Sequence, residues 1–374
     1  ICGAGVRLRN QMFEMGMLKS RSFDIPVISV GNITVGGSGK TPHVEYLINL
    51  LRDKVKVAVL SRGYKRKSKG YMLATADTPM SDIGDEPYQM KKKFADIYVA
   101  VDKNRCHGID QLTTNEETSD TDVILLDDAY QHRYVKPGVN ILLVDYHRLI
   151  MYDKLLPAGR LREPQKGKAR ADIVIVSKCP ADLKPMEFRV ITKAMNLFPY
   201  QKLYFTTLKY GSLRPIYGGE DRKLDTLTGD TSILLLTGIA SPQQMIVDLK
   251  PYTERITPLT FPDHHQYTDA DIDRINAEFE AMKGNDKMIV TTEKDNARLC
   301  GMEGLSDEVK KNIYVLPVEV GFMLDQEEDF NENIIGYVRK NSRNSILAKA
   351  KDDNKSDNSD NSGNRTRTIS FRNN

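Results

Sequence analysis

Five short apolar runs, rich in β-branched residues, constrain the fold of this chain more than any other feature. Each is too short for a buried helix and lacks the alternation of apolar and polar residues, so each predicts a parallel strand covered on both faces. The runs are PVISV (26–30), KVAVLS (56–61), DVILLD (122–127), VNILLVD (139–145) and ADIVIVSK (171–178). Between the first two, the apolar residues of TPHVEYLINLLRD recur at helical spacing. The sequence therefore predicts an α/β fold, a mostly parallel sheet with helices on both faces.

A second series of apolar runs and helical patterns begins at residue 233 and predicts a smaller α/β domain. With 374 residues the chain is too long for one core, which agrees with two domains. We expect an amphipathic segment over 1–23, the larger domain over 24–205, a connection over 206–232 and the smaller domain over 233–340. NIYVLPVEV (312–320) is its predicted last strand, and the polar stretch 341–374 is expected to be a disordered tail.

Charge and cysteine content exclude several classes of function. The 54 basic and 51 acidic residues give a net charge of +3, which is too balanced to favour nucleic acid as a partner. The four cysteines are scattered, so they indicate neither a disulfide framework nor a thiolate zinc site, and a reducing compartment fits best. No run of about 18 apolar residues exists, so no segment is predicted to span a bilayer.

The stretch SVGNITVGGSGKTP resembles a phosphate-binding loop between a strand and a helix, although Thr34 occupies the place of the usual first glycine. Its glycines allow successive backbone N–H groups to point at an anion, Lys40 can reach the outer phosphates, and Thr41 can offer a hydroxyl to Mg²⁺. The helix N-terminus adds partial positive charge. The predicted nucleotide-binding residues are Thr34, Gly36, Gly37, Ser38, Gly39, Lys40 and Thr41.

A pair of acidic residues supports the same interpretation. Asp127 and Asp128 directly follow a buried apolar run, which is how a strand delivers carboxylates to Mg²⁺ in P-loop enzymes. Paired acids at the end of a strand can also be an ordinary turn. The two elements together favour a real site for a nucleotide and Mg²⁺, with Thr41, Asp127 and Asp128 as metal ligands.

Further charged clusters lie in loops after predicted strands, where ligands of α/β proteins bind. Arg62 is a candidate phosphate contact, whereas the run Lys65–Lys69 can equally be a solvated surface. His132 follows the acidic pair, and a structural role for it is at least as probable as a catalytic one. The Asp-His-His turn at 263–265 suggests a base or a metal site, and we favour a base because a third His or Cys at ligand spacing is missing.

The first 23 residues mix basic side chains with apolar ones. Such a composition suits a helix on an anionic membrane surface, but it also suits an amphipathic helix docked on its own domain. Composition alone favours the docked helix.

The motifs SVGNITVGGSGKTP, SRGY, GDEP, LLDDAYQH, LLPAGRLREP, FPDHHQY and TTEKDNARL occur in the order of the tetraacyldisaccharide 4′-kinases. The resemblance covers about residues 6–325, and the variant loop with Thr34 is typical of that family. It implies a P-loop kinase domain and a smaller α/β domain. It also implies transfer of phosphate from ATP to the 4′-hydroxyl of an acylated glucosamine disaccharide 1-phosphate, the precursor of lipid A.

The resemblance also implies roles for particular residues. Asp85 of GDEP and a histidine of the DHH motif, for which we choose His264 over His265, correspond to a catalytic dyad. Arg105, Arg162 and Glu163 correspond to active-site contacts. Family members act on the cytoplasmic face of the bacterial inner membrane, so residues 1–23 are expected to make peripheral membrane contact. The acceptor lipid is then the expected partner, and we expect a monomer.

Two other functions remain as alternatives. A nucleotide-dependent switch needs the phosphate loop and the acidic pair, but it gives no reason for Asp85, the LREP loop and His264 to occur together. An ATP-dependent small-molecule ligase can use the same fold, and the basic amphipathic start argues weakly against it.

Overall fold

The computed structural model describes residues 2–239, 242–263, 265–299 and 302–342. The predicted tail lies almost entirely outside these residues. The strands are β1 Val27–Gly31, β2 Val57–Ser61, β3 Met72–Leu73, β4 Tyr98–Val101, β5 Val123–Asp127, β6 Val139–Asp145, β7 Ile173–Ser177, β8 Lys202–Tyr210, β9 Arg214–Pro215, β10 Ser232–Thr237, β11 Ile256–Thr260, β12 Lys287–Thr292, β13 Ile313–Leu316 and β14 Val318–Phe322. The α-helices are α1 Cys2–Glu14, α2 Lys40–Leu51, α3 Met80–Ile83, α4 Asp85–Lys93, α5 Arg105–Thr114, α6 Pro185–Met195, α7 Gln243–Leu249, α8 Asp269–Ala281, α9 Glu293–Leu299, α10 Asp307–Asn312 and α11 Glu327–Asn341.

The larger lobe is built on a nine-stranded sheet with the order β14-β8-β7-β6-β1-β5-β2-β4-β3. All neighbours from β8 to β4 are parallel, and only the edge strands β14 and β3 run antiparallel. The five predicted strands are confirmed within two residues at each end. Almost all of their residues are buried, so the strands are covered on both faces as their continuous apolar runs predict.

Helices cover both faces of this sheet because successive strand residues point in opposite directions. Ile28 and Val30 of β1 face a core that includes α2 and α11, while Val27 faces a second core with α5. A third core, around Leu142 and Phe188, lies under α6. The predicted mostly parallel sheet with helices on both faces is confirmed.

The smaller lobe has a five-stranded sheet with the order β11-β10-β12-β13-β9. The first four strands are parallel, and β9 closes the edge antiparallel to β13. Ile275 and Phe279 of α8 are fully buried against it. This unit is the predicted second α/β domain.

Two predicted boundaries are wrong. The connection expected from residue 206 begins later, because β8 continues in the large sheet to Tyr210. NIYVLPVEV, expected as one strand of the smaller domain, forms two strands in different sheets, β13 in the small one and β14 in the large one. Pro317 lies between them and has no N–H for a sheet hydrogen bond, so it ends the first strand. After β14 the chain stays on the larger lobe through α11, where Phe330, Ile334 and Val338 are buried in its core.

Helix α1 packs on the larger lobe. The Phe13 ring meets Tyr134 edge-on with 5.1 Å between the ring centroids, and the Arg9 guanidinium donates to the Gln131 carbonyl at 2.7 Å. Over the described stretches of the chain, no helix combines the length and the apolar character needed to cross a membrane.

Candidate active site

The phosphate loop lies at the carboxyl end of β1, in the middle of the large sheet, and leads directly into α2. Gly36 and Gly39 have φ of +108° and +77°, a region that side chains other than glycine rarely occupy. These two residues let the chain curl between strand and helix.

The LREP loop lies along the start of the phosphate loop. Thr34 forms an antiparallel bridge with Leu161, flanked by Val35 N–H donating to the Arg160 carbonyl at 2.8 Å and Arg162 N–H donating to the Ile33 carbonyl at 2.7 Å. Thr34 is thus part of a short two-stranded contact, where a glycine would offer no advantage. The departure from the strict motif therefore has a structural reason, and it brings Arg162 to the site.

The acidic pair at the end of β5 faces the loop. Asp128 takes a left-handed conformation with φ of +47°, and its carboxylate lies 3.6 Å from Lys40 Nζ and 3.4 Å from an Arg162 Nη1. Asp127 is buried and accepts a hydrogen bond from the Ser61 hydroxyl at 3.3 Å. Both acids thus lie beside Lys40 at one edge of the sheet.

The pKa values of the two carboxyl groups are shifted in opposite directions. Burial, and then the neighbouring charges of Asp128 and Glu86, raise the pKa of Asp127 to about 7. Burial also acts to raise the pKa of Asp128, but Lys40 and Arg162 outweigh it and hold that pKa below its usual value. A cation bound beside the pair would favour the ionised form of both.

Arg105 and Arg62 follow β4 and β2 at the same edge. Arg105 is only 3% exposed, and its guanidinium donates to the carbonyls of Asp102 and Lys103 at 3.3 and 3.2 Å. Burial lowers its pKa to about 10, against the opposing effect of Asp127 and Asp128. Arg62 is exposed, as a residue that meets a ligand can be.

Asp85 is the first residue of α4 and connects the two lobes. Its Oδ2 accepts from Nη2 and Nε of Arg298 in α9, at 2.6 and 3.0 Å. The Arg298 side chain is fully buried and also donates to the Asp295 carboxylate at 3.1 Å and to the Gly238 carbonyl at 3.0 Å. The candidate base is therefore fixed by a guanidinium from the other lobe.

His264 lies outside the described residues, so the predicted dyad with Asp85 stays a prediction. His265 is described, and its Nε2 lies 2.9 Å from Asp271 Oδ2 near the start of α8. Its ring also stacks on Phe261 with centroids 4.8 Å apart. These contacts give His265 a role in holding the turn between β11 and α8.

Glu163 is surrounded by protein groups. Its side chain is 1% exposed and accepts from Arg170 Nη2 at 2.9 Å and from Gln131 Nε2 at 3.1 Å. The contacts stabilise the LREP loop beside Arg162. His132, by contrast, has a buried Nε2 without a hydrogen bond among the described residues, and burial, then Arg105, Arg9 and Arg62, lowers its pKa to about 4.

Sequence reasoning missed several residues of this region. Arg298 lies in the quoted TTEKDNARL motif, three residues after Asp295 on one helix face, so its spacing could have shown the pair. Lys178 follows β7, and its Nζ donates a hydrogen bond to the Gly37 carbonyl of the phosphate loop. The same Nζ lies 3.2 Å from Asp145 Oδ2. No local pattern points to that contact, because it joins positions far apart in the chain.

Comparisons with known proteins agree with this geometry. The profile of the family described as "Tetraacyldisaccharide-1-P 4'-kinase" matches residues 1–339. Proteins named tetraacyldisaccharide 4′-kinase include one from Phocaeicola vulgatus, 60% identical over 92% of this chain and 94% of its own length. Another, from Bacteroides thetaiotaomicron, is 54% identical over 93% of both chains.

A solved structure shares the fold. The crystal structure of LpxK from Aquifex aeolicus in complex with ATP superposes with a TM-score of 0.67 at 30% identity, covering 90% of this chain and 96% of that one. Family profile, curated relatives and solved structure all span both lobes, so the likeness extends beyond the phosphate loop. The chain belongs to the tetraacyldisaccharide-1-P 4'-kinase family.

Proposed function

We propose that this chain transfers the γ-phosphate of ATP to the 4′-hydroxyl of an acylated glucosamine disaccharide 1-phosphate, the lipid A precursor. The observation that carries the proposal is the convergence of Lys40 and Arg162 on Asp128, at the edge of the sheet where the phosphate loop ends. The family match over both lobes identifies the acceptor class. A switch protein would need neither the LREP loop nor the interlobe contact of Asp85.

The triphosphate of ATP lies on the loop from Gly36 to Thr41, with Lys40 beside the outer phosphates. Thr41, Asp127 and Asp128 would hold Mg²⁺, which prefers such oxygen ligands together with phosphate oxygens. Asp128 fits this role, because its Oδ1 is buried and accepts no hydrogen bond from the described residues. No cluster of three or more His, Cys, Asp or Glu able to hold a metal exists among those residues. In this proposal phosphate oxygens of the nucleotide would supply further ligands. When bound, Mg²⁺ supplies neutralisation of phosphate charge.

Asp85 serves as the base, oriented by His264. The 4′-hydroxyl oxygen attacks the γ-phosphorus, its proton passes to the Asp85 carboxylate, and the bond from the γ-phosphorus to the bridging oxygen breaks to release ADP. General-base assistance of this kind contributes roughly 100- to 10,000-fold. Arg298 holds the carboxylate in place from the other lobe.

The arginines neutralise the phosphates. Arg62, Arg105 and Arg162 follow strands or lie in the LREP loop around the acidic pair, and guanidinium groups suit bidentate contacts with phosphate oxygens. Glu163, the next residue along the chain, accepts from Arg170 and Gln131 and so stabilises the loop that carries Arg162.

The protein works as a monomer bound peripherally to the cytoplasmic face of the inner membrane. Helix α1 docks on its own lobe through Phe13, while Leu8, Met15 and Met17 are 60%, 58% and 67% exposed. Arg7 and Lys19 are exposed beside them. Apolar side chains next to basic ones suit the surface of an anionic bilayer, where the acyl chains of the acceptor reside.

The test is transfer of ³²P from γ-labelled ATP to purified acylated disaccharide 1-phosphate in detergent micelles. We expect labelled lipid with the unaltered protein and with Lys67→Ala, which changes an exposed lysine outside the site, and none with Lys40→Ala. Hydrolysis of ATP without labelled lipid would reject the kinase and favour the switch or ligase. Labelling that survives in Lys40→Ala would reject the phosphate site.

A further inference from the structure

Three consecutive carbonyl groups of the phosphate loop accept hydrogen bonds from side chains outside the loop. Lys178 Nζ donates to the Gly37 carbonyl, and the Ser177 hydroxyl donates to the Ser38 carbonyl at 2.9 Å. His43 Nδ1 lies 2.7 Å from the Gly39 carbonyl. Two of the donors come from the end of β7 and its next residue, and one comes from the first turn of α2.

The planarity of the peptide unit gives these contacts a consequence for anion binding. In a trans peptide the N–H of the next residue points opposite to the carbonyl, so fixing three carbonyls outward turns the N–H groups of Ser38, Gly39 and Lys40 inward. None of these three N–H groups has an acceptor among the residues that the structure describes. Backbone N–H groups arranged in this way form an anion-binding concavity.

Of the three donors, Ser177 is the most buried and His43 is the second. His43 is 4% exposed, and its Nε2 lies 3.0 Å from the hydroxyl of Thr206 in β8. The Gly39 carbonyl can only accept, so Nδ1 carries the hydrogen and Nε2 accepts from Thr206. Burial, partly opposed by the bond to Gly39, lowers the pKa of His43 to about 4, so the ring is neutral at physiological pH.

We propose that Lys178, Ser177 and His43 act as a carbonyl clamp that holds the phosphate loop ready for ATP, with His43 as its anchor to β8. They are positioning residues, since they touch the loop from behind. A loop rich in glycine loses much conformational freedom when it is ordered, and a loop ordered in advance does not lose it on binding. The inference rests on the proposed function only in placing the triphosphate on this loop.

Two substitutions at His43 separate this role from a purely structural one. His43→Phe keeps a ring and the backbone bond to Gly39 but removes both side-chain hydrogen bonds. His43→Asn keeps a side-chain donor at the position of Nδ1 and loses only the contact with Thr206. Both variants should melt at lower temperature than the unaltered protein. We expect the dissociation constant for ATP to rise by roughly 3- to 10-fold in His43→Phe, which corresponds to loss of the one side-chain hydrogen bond to the loop. In His43→Asn it should stay close to the unaltered value.

Isothermal titration of the full chain with ATP and with inorganic tripolyphosphate gives the readout. If His43→Phe lowers the affinity for ATP and for tripolyphosphate by the same factor, the effect lies at the phosphates. If His43→Phe does not fold, Ser177→Ala replaces it and should lower both affinities as well. Two results would overturn the clamp. In the first, the affinity of the two His43 variants for both ligands falls in proportion to their melting temperatures. In the second, folded His43→Phe and Ser177→Ala bind both ligands as tightly as the unaltered protein. Loss of binding in Lys40→Ala alongside unchanged clamp variants rejects the clamp and keeps the phosphate site. Full binding in Lys40→Ala rejects the site and the clamp together.

Discussion

At the scale of single residues, the buried pair of Asp85 and Arg298 differs sharply from the ion pair next to it. The Arg298 side chain is fully buried. In the neighbouring pair, Lys294 Nζ lies 3.0 Å from Glu86 Oε1, and the two side chains are 22% and 24% exposed. Removing one partner of a buried pair leaves an uncompensated charge, while water replaces much of an exposed pair.

We therefore expect Arg298→Gln to lower the free energy of unfolding by about 3–5 kcal/mol, and Lys294→Gln by no more than about 1 kcal/mol. Thermal and urea unfolding of the two variants measure the difference. Similar losses in both would show that burial of Arg298 has no energetic consequence.

Two glycines of the phosphate loop make a second comparison. Gly39 has φ of +77°, and an added Cβ would lie 3.6 Å from the His43 ring, whereas Gly37 has an ordinary backbone with nothing within 4 Å. In protein without nucleotide, Gly39→Ala should therefore cost about 1–2 kcal/mol of stability. Gly37→Ala should leave the melting temperature almost unchanged, and an equal shift in both would contradict the conformational argument.

At this scale the sequence predicted the residue types at the site better than their contacts. Lys40, Asp127 and Asp128 follow from local patterns, because each lies at the end of a strand or at the start of a helix that a short stretch of sequence predicts. The contacts of Lys178 and Ser177 with the loop and the pairing of Asp85 join positions more than 100 residues apart. Such contacts depend on strand order, which short patterns do not contain.

At the scale of elements, α1 and the turn that follows it combine a docked face with an exposed one. Phe13 is buried, and Leu8, Met15 and Met17 are exposed. Changing these three exposed residues to serine should reduce pelleting of the protein with anionic vesicles, since the apolar area available to the bilayer falls.

The matched control changes exposed apolar residues of α6, Met186 and Val190, to serine. We expect vesicle binding of that control to equal that of the unaltered protein. If the variant changed at Leu8, Met15 and Met17 pellets as well as the unaltered protein, this face is not the membrane contact.

Elements were predictable where one physical signal dominated. The five central strands are continuous apolar runs, and that pattern allows little else in an α/β protein. Pro317 indicates that NIYVLPVEV is interrupted between β13 and β14. No local pattern indicates that the two strands belong to different sheets. Edge strands such as β14 carry a mixed pattern, with Glu319 exposed between Val318 and Val320.

At the scale of the whole molecule, the smaller lobe is inserted into the larger one. Tyr210 at the end of β8 pairs with Val318 at the start of β14, so the chain leaves and re-enters the large sheet at neighbouring residues. Two buried phenylalanines, Phe330 of α11 and Phe279 of α8, belong to separate cores of the two lobes.

Phe330→Ala should remove about 3–5 kcal/mol from the stability of the larger lobe, and Phe279→Ala a similar amount from the smaller lobe. Hydrogen exchange followed by peptide should show lost protection in α2 and β8 for the first variant. For the second variant the loss should appear in β10 and β12. The same peptides responding in both variants would mean that the lobes unfold as one unit.

The pairing of β8 with β14 also affects how the protein is made. The ribosome completes β8 before it adds residues 211–317, so the long strand β8 waits without its antiparallel neighbour while the inserted lobe is synthesised. An unpaired strand edge is a template for association with other chains. The nascent chain therefore presents an open edge of β8 to other chains while residues 211–317 are synthesised, and slow translation through them would lengthen that period.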